Sequence, residues 1–424
     1  MKSSRRIFFD VTFTRSQVGN VGITRTVRAL LGRVAAKAGE VGDCQPIVFH
    51  SRGFRVERAS GSVASQGAAP SQTTAARLFR WVMGGSFRRA VTRALPLPVL
   101  SAGWALYNRA TFDAMSRHAA PVRFTEHDVL FLCDAWWNYP VAKPCAAARR
   151  QGARVVAMVH DLIPLRHPEY CAPLFTQTFT RWLREVIANS DAVICNSAAT
   201  MRDLEAYAAS ADLKLPPTGH FRLGCDLLAL PRHGQVRPEL VGFTAGGDPC
   251  FSAVGSIEPR KNYAFLLSVF EGLWAEGSSA RLIIVGRPTA DCSELVERMK
   301  AHPEFGKRFL PIFDASDEEL EHVYRASRAL VFPSLAEGFG LPLVEARTRG
   351  LVVIASDIPV FQELADAGVQ IFSRHSADAL RRCVIDQVKS DRASAVAPMP
   401  AFTWDESARQ FLEVSERLLQ GRPA

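Results

Sequence analysis

The chain reads as an α/β protein built from two doubly wound units, and three observations point there. Short apolar runs such as Val129–Cys133, Val155–Val159 and Ala192–Cys195 alternate with helical patterns. That order belongs to a parallel sheet covered by helices on both faces. The alternation stops at Leu230–Asp248, a stretch rich in Gly and Pro without apolar periodicity, and then resumes. The length, 424 residues with 48% hydrophobic and 22% charged, suits two to three domains with sizeable cores.

The first unit, residues 1–229, opens on an expected strand Ile7–Phe13 and a helix Thr24–Ala36. Basic residues precede the opening apolar run, but Asp10 interrupts it, and it is too short for the core of a signal peptide. Helices Thr176–Ala188 and Ala198–Ala208 fall among the three strands named above. Residues 230–248 are expected to be a linker. The second unit, residues 249–400, repeats the pattern. Its strands are Phe251–Val254, Leu282–Val285, Phe309–Phe313, Ala329–Phe332 and Val352–Ala355. Its helices are Ala264–Ala275, Cys292–Ala301, Asp317–Ala326, one after Gly340, and Ser376–Val388. A final helix, Trp404–Leu419, lies in residues 401–424, after the Pro-rich Ala395–Ala401.

Charge is uneven. Residues 1–228 hold 29 Lys and Arg against 16 Asp and Glu, a net +13, while residues 229–424 carry −4, for +9 in all. A basic half suits an anionic surface or substrate. Residues 76–123 are the odd segment, with eight arginines, one acid (Asp113), and Phe79, Trp81, Phe87, Trp104 and Tyr107 interleaved. Two readings stand for it: an amphipathic stretch on an anionic membrane surface, or a solvated helix whose aromatics pack on the unit. Ser60–Thr74 ahead of it reads as a flexible loop. The nine cysteines are scattered, with no C-x-x-C pair, so free thiols in a reducing cytoplasm are expected. No 18-residue apolar run is present. Zinc-finger and RNP-like motifs are absent, so nucleic acid is not an expected partner.

Chemistry concentrates in Val331–Gly350, VFPSLAEGFGLPLVEARTRG. An apolar strand runs into a turn whose Gly338 and Gly340 permit close backbone approach. Pro342 then suits the first turn of a helix. A helix N-terminus at the carboxyl end of a strand suits phosphate. Glu337 and Glu345 flank the turn and suit sugar hydroxyls rather than phosphate. Arg260 and Lys261, in G-S-I-E-P-R-K-N, follow another strand and fit a diphosphate, the one a planar fork and the other a point charge.

P-S-x-x-E-G-F-G-L-P-x-x-E-A resembles the donor-site signature of GT-B glycosyltransferases of the retaining family 4, and the likeness extends from Phe8 to about Leu419. It implies two Rossmann-like domains facing across a cleft, with the last helix crossing back onto the first domain. It further implies that Glu345 holds a nucleotide ribose and Glu337 the transferred sugar. Ser334, Gly338, Phe339, Gly340 and Leu341 would line the donor, with Gly286, Arg287 and Phe313 at the nucleotide. His160, in M-V-H-D-L-I-P, would lie near the donor sugar with Asp161 beside it, unless the two merely cap the following turn. Gly19, Gly22 and Arg25, in G-N-V-G-I-T-R, and Asn196 with Ser197 would face the acceptor, although Ser197 equally suits a helix cap.

The same likeness implies no cofactor and no metal, since D-x-D and H-E-x-x-H are absent and cations with helix N–H groups would take the metal's place. H-D-L-I-P and P-E-Y are similar to stretches of bacterial O-antigen and exopolysaccharide mannosyl- and rhamnosyltransferases. GDP-mannose is the first donor to expect, with a glycan or lipid-linked glycan acceptor at the inner face of the inner membrane. The other readings are a nucleotide-sugar hydrolase or epimerase of the same fold, and a non-catalytic nucleotide- or glycan-binding module.

Overall fold

The computed structural model describes residues 5–17, 22–37, 42–57, 97–225, 235–390 and 396–421. The chain divides into two compact units, Met1–Leu223 with Trp404–Ala424, and Gly224–Thr403.

The first unit holds a seven-stranded sheet in the order β3-β2-β1-β4-β5-β6-β7. Its strands are β1 (Arg6–Asp10), β2 (Asp43–His50), β3 (Gly53–Val56), β4 (Val129–Leu132), β5 (Arg154–Val159), β6 (Ala192–Cys195) and β7 (Thr218–His220). All pairings are parallel except β2 with β3. The opening strand is shorter than the expected Ile7–Phe13, because Asp10 ends it. The Asp10 carboxylate accepts from the Thr12 N–H at 3.1 Å, which turns the chain into a short helix, Thr12–Ser16. Helix Trp404–Leu419 belongs to this unit. Its buried Phe411 meets Phe131 at 4.8 Å and Phe221 at 5.1 Å between ring centroids.

The second unit holds a six-stranded, all-parallel sheet in the order β10-β9-β8-β11-β12-β13. The strands are β8 (Cys250–Val254), β9 (Arg281–Val285), β10 (Phe309–Ile312), β11 (Ala329–Phe332), β12 (Val352–Ser356) and β13 (Val369–Phe372). β8 and β11 are buried along their whole length, as strands covered on both faces must be. Of the expected linker, residues 230–234 lie outside the described residues. Its later part is not a linker but a helix, Pro238–Thr244, because Leu240 and Phe243 share one buried face at i, i+3 spacing. Of the basic segment 76–123, residues 76–96 lie outside the described residues, as does the loop Ser60–Thr74. Leu97–Ser116 is a helix with Phe112 buried. No helix among the described residues is long and apolar enough to cross a membrane. All nine cysteines are free thiols.

In both sheets the strand order reverses beside the central pair, β1 with β4 and β8 with β11. In open α/β sheets ligands bind outside the carboxyl ends of such a pair. The helix that follows β11, Leu341–Arg347, is anchored by a buried arginine. Arg347 Nε donates to Asp366 at 2.8 Å, Nη1 to the Leu351 carbonyl at 3.0 Å and Nη2 to the Ala397 carbonyl at 2.8 Å. Removing one side of a buried, hydrogen-bonded ion pair strands the other. Arg347→Met is therefore expected to destabilise the second unit by roughly 3 kcal/mol. A urea midpoint equal to that of the parent chain would show that this anchor contributes nothing.

Candidate functional site

The carboxyl ends of β8 and β11 bring four charged side chains together. After β8 the chain makes a short 3-10 turn, Pro259–Lys261, which Asn262 ends in the left-handed region at φ 58°. After β11 it runs through Ser334 and Glu337 to Gly340, whose φ of +101° starts helix Leu341–Arg347 with Pro342 in the first turn. The Leu335 N–H donates to the Arg260 carbonyl at 2.7 Å and ties the two loops.

Glu337 lies between both cations. Lys261 Nζ donates to Oε1 at 2.5 Å and Arg260 Nη1 to Oε2 at 2.8 Å. Arg260 Nη1 also donates to the Ala336 carbonyl at 2.9 Å, and Nη2 donates to Glu258 at 2.6 Å. The Lys261 ammonium stands 5.1 Å from the Phe332 ring centroid. Burial pushes the Glu337 carboxyl up, but Arg260 and Lys261 outweigh burial and hold it at about 2. Burial lowers the Lys261 ammonium, and Glu337 works against that shift. Two cations and two carboxylates thus form a fixed, nearly neutral cluster in which an ammonium with three donors gives one to Glu337.

Glu345 is only 2% exposed, and its Oε2 accepts from the Tyr324 hydroxyl at 2.8 Å. Ser334 and Phe339 are buried, while Gly338 and Leu341 are partly exposed. Gly286 has a packing reason of its own, since a Cβ there would sit 1.8 Å from the Gly255 carbonyl oxygen. The Arg287 side chain is exposed, while its carbonyl accepts from the Ile257 N–H at 2.8 Å. Phe313 is half-buried just past β10, with the Lys300 ammonium 6.0 Å from its ring centroid.

In the first unit the expected residues spread over three strand ends. His160 follows β5 and is buried, with Nε2 donating to the Cys133 carbonyl at 2.8 Å. Of the pair, only Asp161 caps the turn, accepting from the Ile163 N–H at 3.0 Å. Ser197 caps helix Ala198–Ser210, accepting from the Thr200 N–H at 3.0 Å. Asn196 beside it is buried, and its Oδ1 has no hydrogen-bond partner among the described residues. Gly22, at φ +52°, begins helix Gly22–Ala36, which carries Arg25. Gly19 lies outside the described residues.

Sequence reasoning passed over five residues that the fold makes prominent: Glu258, Tyr324, Asp10, Asp134 and Tyr139. Asp10 ends β1 and Asp134 follows β4, both fully buried. Asp10 accepts from the Thr12 and Tyr139 hydroxyls, and Asp134 from the Thr14 N–H and hydroxyl. Burial pushes both carboxyls up, and for Asp10 the charge of Asp134 adds to the effect. An acid closing an apolar run, as in I-F-F-D, was the available signal.

Burial lowers the His160 imidazole to about 4, the Cys133 carbonyl opposing it only in part. Between about 4 and the ordinary 6.5, the unfolded chain binds a proton that the folded chain does not. Stability from this group is therefore complete above 6.5 and is lost as pH falls toward 4. The loss amounts to roughly 3 kcal/mol. His160→Gln keeps a donor for Cys133 and cannot titrate. Urea unfolding between pH 4 and 7 is expected to show a flatter profile for it. Superimposable profiles would mean that His160 is not held neutral.

Two family models match the chain: one described as Glycosyltransferase Family 4 over residues 84–219, and one described as Glycosyl transferases group 1 over residues 242–397. The serotype-specific mannosyltransferase WbdA of Escherichia coli is 34% identical over 305 residues, which are 69% of this chain and 37% of that protein. The chain thus spans little more than a third of that relative's length. The O-antigen chain mannosyltransferase B of Escherichia coli is 26% identical over 62% of this chain and 71% of its own. Among solved structures, sucrose-phosphate synthase from Thermosynechococcus elongatus is similar with a TM-score of 0.64 at 17% identity, covering 98% of this chain and 100% of its own. Anabaena HepE in complex with UDP and glucose is similar with a TM-score of 0.57 at 13% identity, covering 98% and 99%. At such identities these structures speak to the fold alone. Matched by both family models, one over each unit, the chain belongs to the family-4, group-1 glycosyltransferases and has their GT-B fold.

Proposed function

We propose that the chain is a retaining, metal-independent glycosyltransferase. It moves a hexose, mannose first, from a nucleotide-diphosphate sugar to a glycan or lipid-linked glycan acceptor in bacterial surface-polysaccharide synthesis. The observation that carries this reading is the cluster of Arg260, Lys261 and Glu337 at the reversal point of the second sheet. GDP-mannose as donor is supported by the mannosyltransferase relatives. The basic first half supports an acceptor carrying phosphate, as on a lipid diphosphate at an anionic membrane face.

In this reading Arg260 and Lys261 take the charge that develops on the departing diphosphate. The bond from the anomeric carbon to the phosphate oxygen breaks while a bond to the acceptor oxygen forms on the same face. The acceptor's proton passes to the leaving phosphate. Cations fixed in advance by Glu337 and Glu258 need little reorganisation as charge develops, which is how preorganised electrostatics lowers a barrier. Glu337 accepts from a sugar hydroxyl and Glu345 from the ribose. His160, neutral at physiological pH, orients the sugar by a hydrogen bond rather than by charge.

Mannosyl transfer from GDP-mannose to an acceptor glycan, measured with and without EDTA, tests this reading. Lys261→Ala is expected to lower turnover by about 10²-fold or more. Glu345→Ala is expected to weaken donor use severely while the chain stays folded. Transfer at the parental rate by Lys261→Ala, or abolished by EDTA, overturns the cation-based mechanism. Donor consumption at an equal rate without acceptor makes the protein a hydrolase.

A further inference from the structure

Glu345 is a buried carboxylate, and a buried charge needs partners that fix it. One partner comes from helix Asp317–Ala326, which lies between β10 and β11. Tyr324 on that helix is 1% exposed, and its hydroxyl donates to Glu345 Oε2 at 2.8 Å. The phenol is itself held. The Arg349 guanidinium covers its ring at 5.0 Å from the centroid. Arg349 donates to Glu321 through Nε at 2.8 Å and Nη2 at 2.5 Å, and through Nη1 to the Glu345 carbonyl at 2.6 Å. Tyr324, Arg349 and Glu321 thus join the helix bearing Glu345 to its neighbour at both the side chain and the backbone of Glu345.

We propose that Tyr324 is a positioning residue that turns the Glu345 carboxylate toward the ribose hydroxyls of the nucleoside diphosphate, and so sets how strongly the site prefers a ribose to a sugar lacking those hydroxyls. The inference rests on the reading of Glu345 as the ribose acceptor. A phenol fixed by a stacked guanidinium has no rotamer freedom left to lose when ligand arrives. One carboxylate oxygen is committed to it, so the carboxylate's plane is chosen before binding. Without the hydroxyl, Glu345 loses one of the bonds that hold its carboxylate plane, and the ribose must complete its ordering at a cost in affinity. Tyr324 touches no part of the ligand in this scheme, so its effect falls on the ribose hydroxyls alone.

The experiment is calorimetric titration of the full chain with whichever of GDP, UDP and ADP binds tightest, and with its 2′,3′-dideoxy analogue. The ratio of the two affinities measures the ribose contribution. Tyr324→Phe keeps the ring and removes one hydrogen bond to a charged group, for which the loss is about tenfold. The ratio is expected to fall by about that factor while the dideoxy affinity holds within about twofold. Equal losses for both ligands would make Tyr324 a merely structural residue and overturn the inference, as would an unchanged ratio. Glu345→Ala run beside it separates the two readings. If Glu345→Ala leaves the ratio intact, or if no diphosphate binds, the ribose role of Glu345 fails and this inference with it. If Glu345→Ala abolishes the ratio and Tyr324→Phe does not, only the positioning role falls. Arg349→Met, which uncovers the ring but spares the hydroxyl, is expected to lower the ratio in the same sense by less.

Discussion

The contact between the Lys261 ammonium and the Glu337 carboxylate governs the second unit's site. Both groups are buried, and an ion removed from water without a partner costs several kcal/mol. Neither loop can therefore fold to this arrangement without the other. Lys261 comes from the chain after β8 and Glu337 from the chain after β11, so the pair exists only because those strands are neighbours in the sheet. The strand order is thus a precondition of the electrostatics. The same contact is costly to build, and Glu337 fixes both cations in place.

The first unit solves the equivalent position with the opposite chemistry. At the ends of β1 and β4 it buries two carboxylates, Asp10 and Asp134, and surrounds them with neutral donors. Asp134 accepts from both the backbone and the hydroxyl of Thr14, and so fixes the short helix Thr12–Ser16 that leaves β1. Buried acids hold the short helix after β1, and a neutral His160 after β5 offers a hydrogen bond rather than a charge.

Much of this was legible in the sequence, and the limits have physical causes. Strands buried on both faces announce themselves as apolar runs, so β4, β5, β6, β8, β9 and β11 were found within a residue or two. β2, whose apolar run Ile47–Phe49 is short and follows Pro46, and the three-residue β7 give too little of such a signal. Within Leu230–Asp248 the helix Pro238–Thr244 is hard to read, because Pro and Gly mask the Leu240–Phe243 face. Motif residues on one loop, such as Arg260 with Lys261, were readable by spacing. Partners brought from elsewhere in the fold were not. Tyr324 lies 21 positions before Glu345 on a separate helix, and Tyr139 lies 129 positions after Asp10. No periodicity joins such pairs, since their contact is a product of tertiary packing.

Net charge was the weakest guide to the cation cluster of the second unit. The half with −4 carries the cations suited to a diphosphate, and the half with +13 carries the buried pair Asp10 and Asp134. Bulk charge acts over a Debye length of about 8 Å in water, and exposed arginines farther away are largely screened. Lys261 and Arg260 act at contact distance inside a packed unit, where screening is slight and direction matters more than sum. Their own cluster is close to neutral with Glu258 and Glu337 included. Affinity for an anion in such a place comes from donors fixed in position, and a count of charges over 200 residues cannot register it.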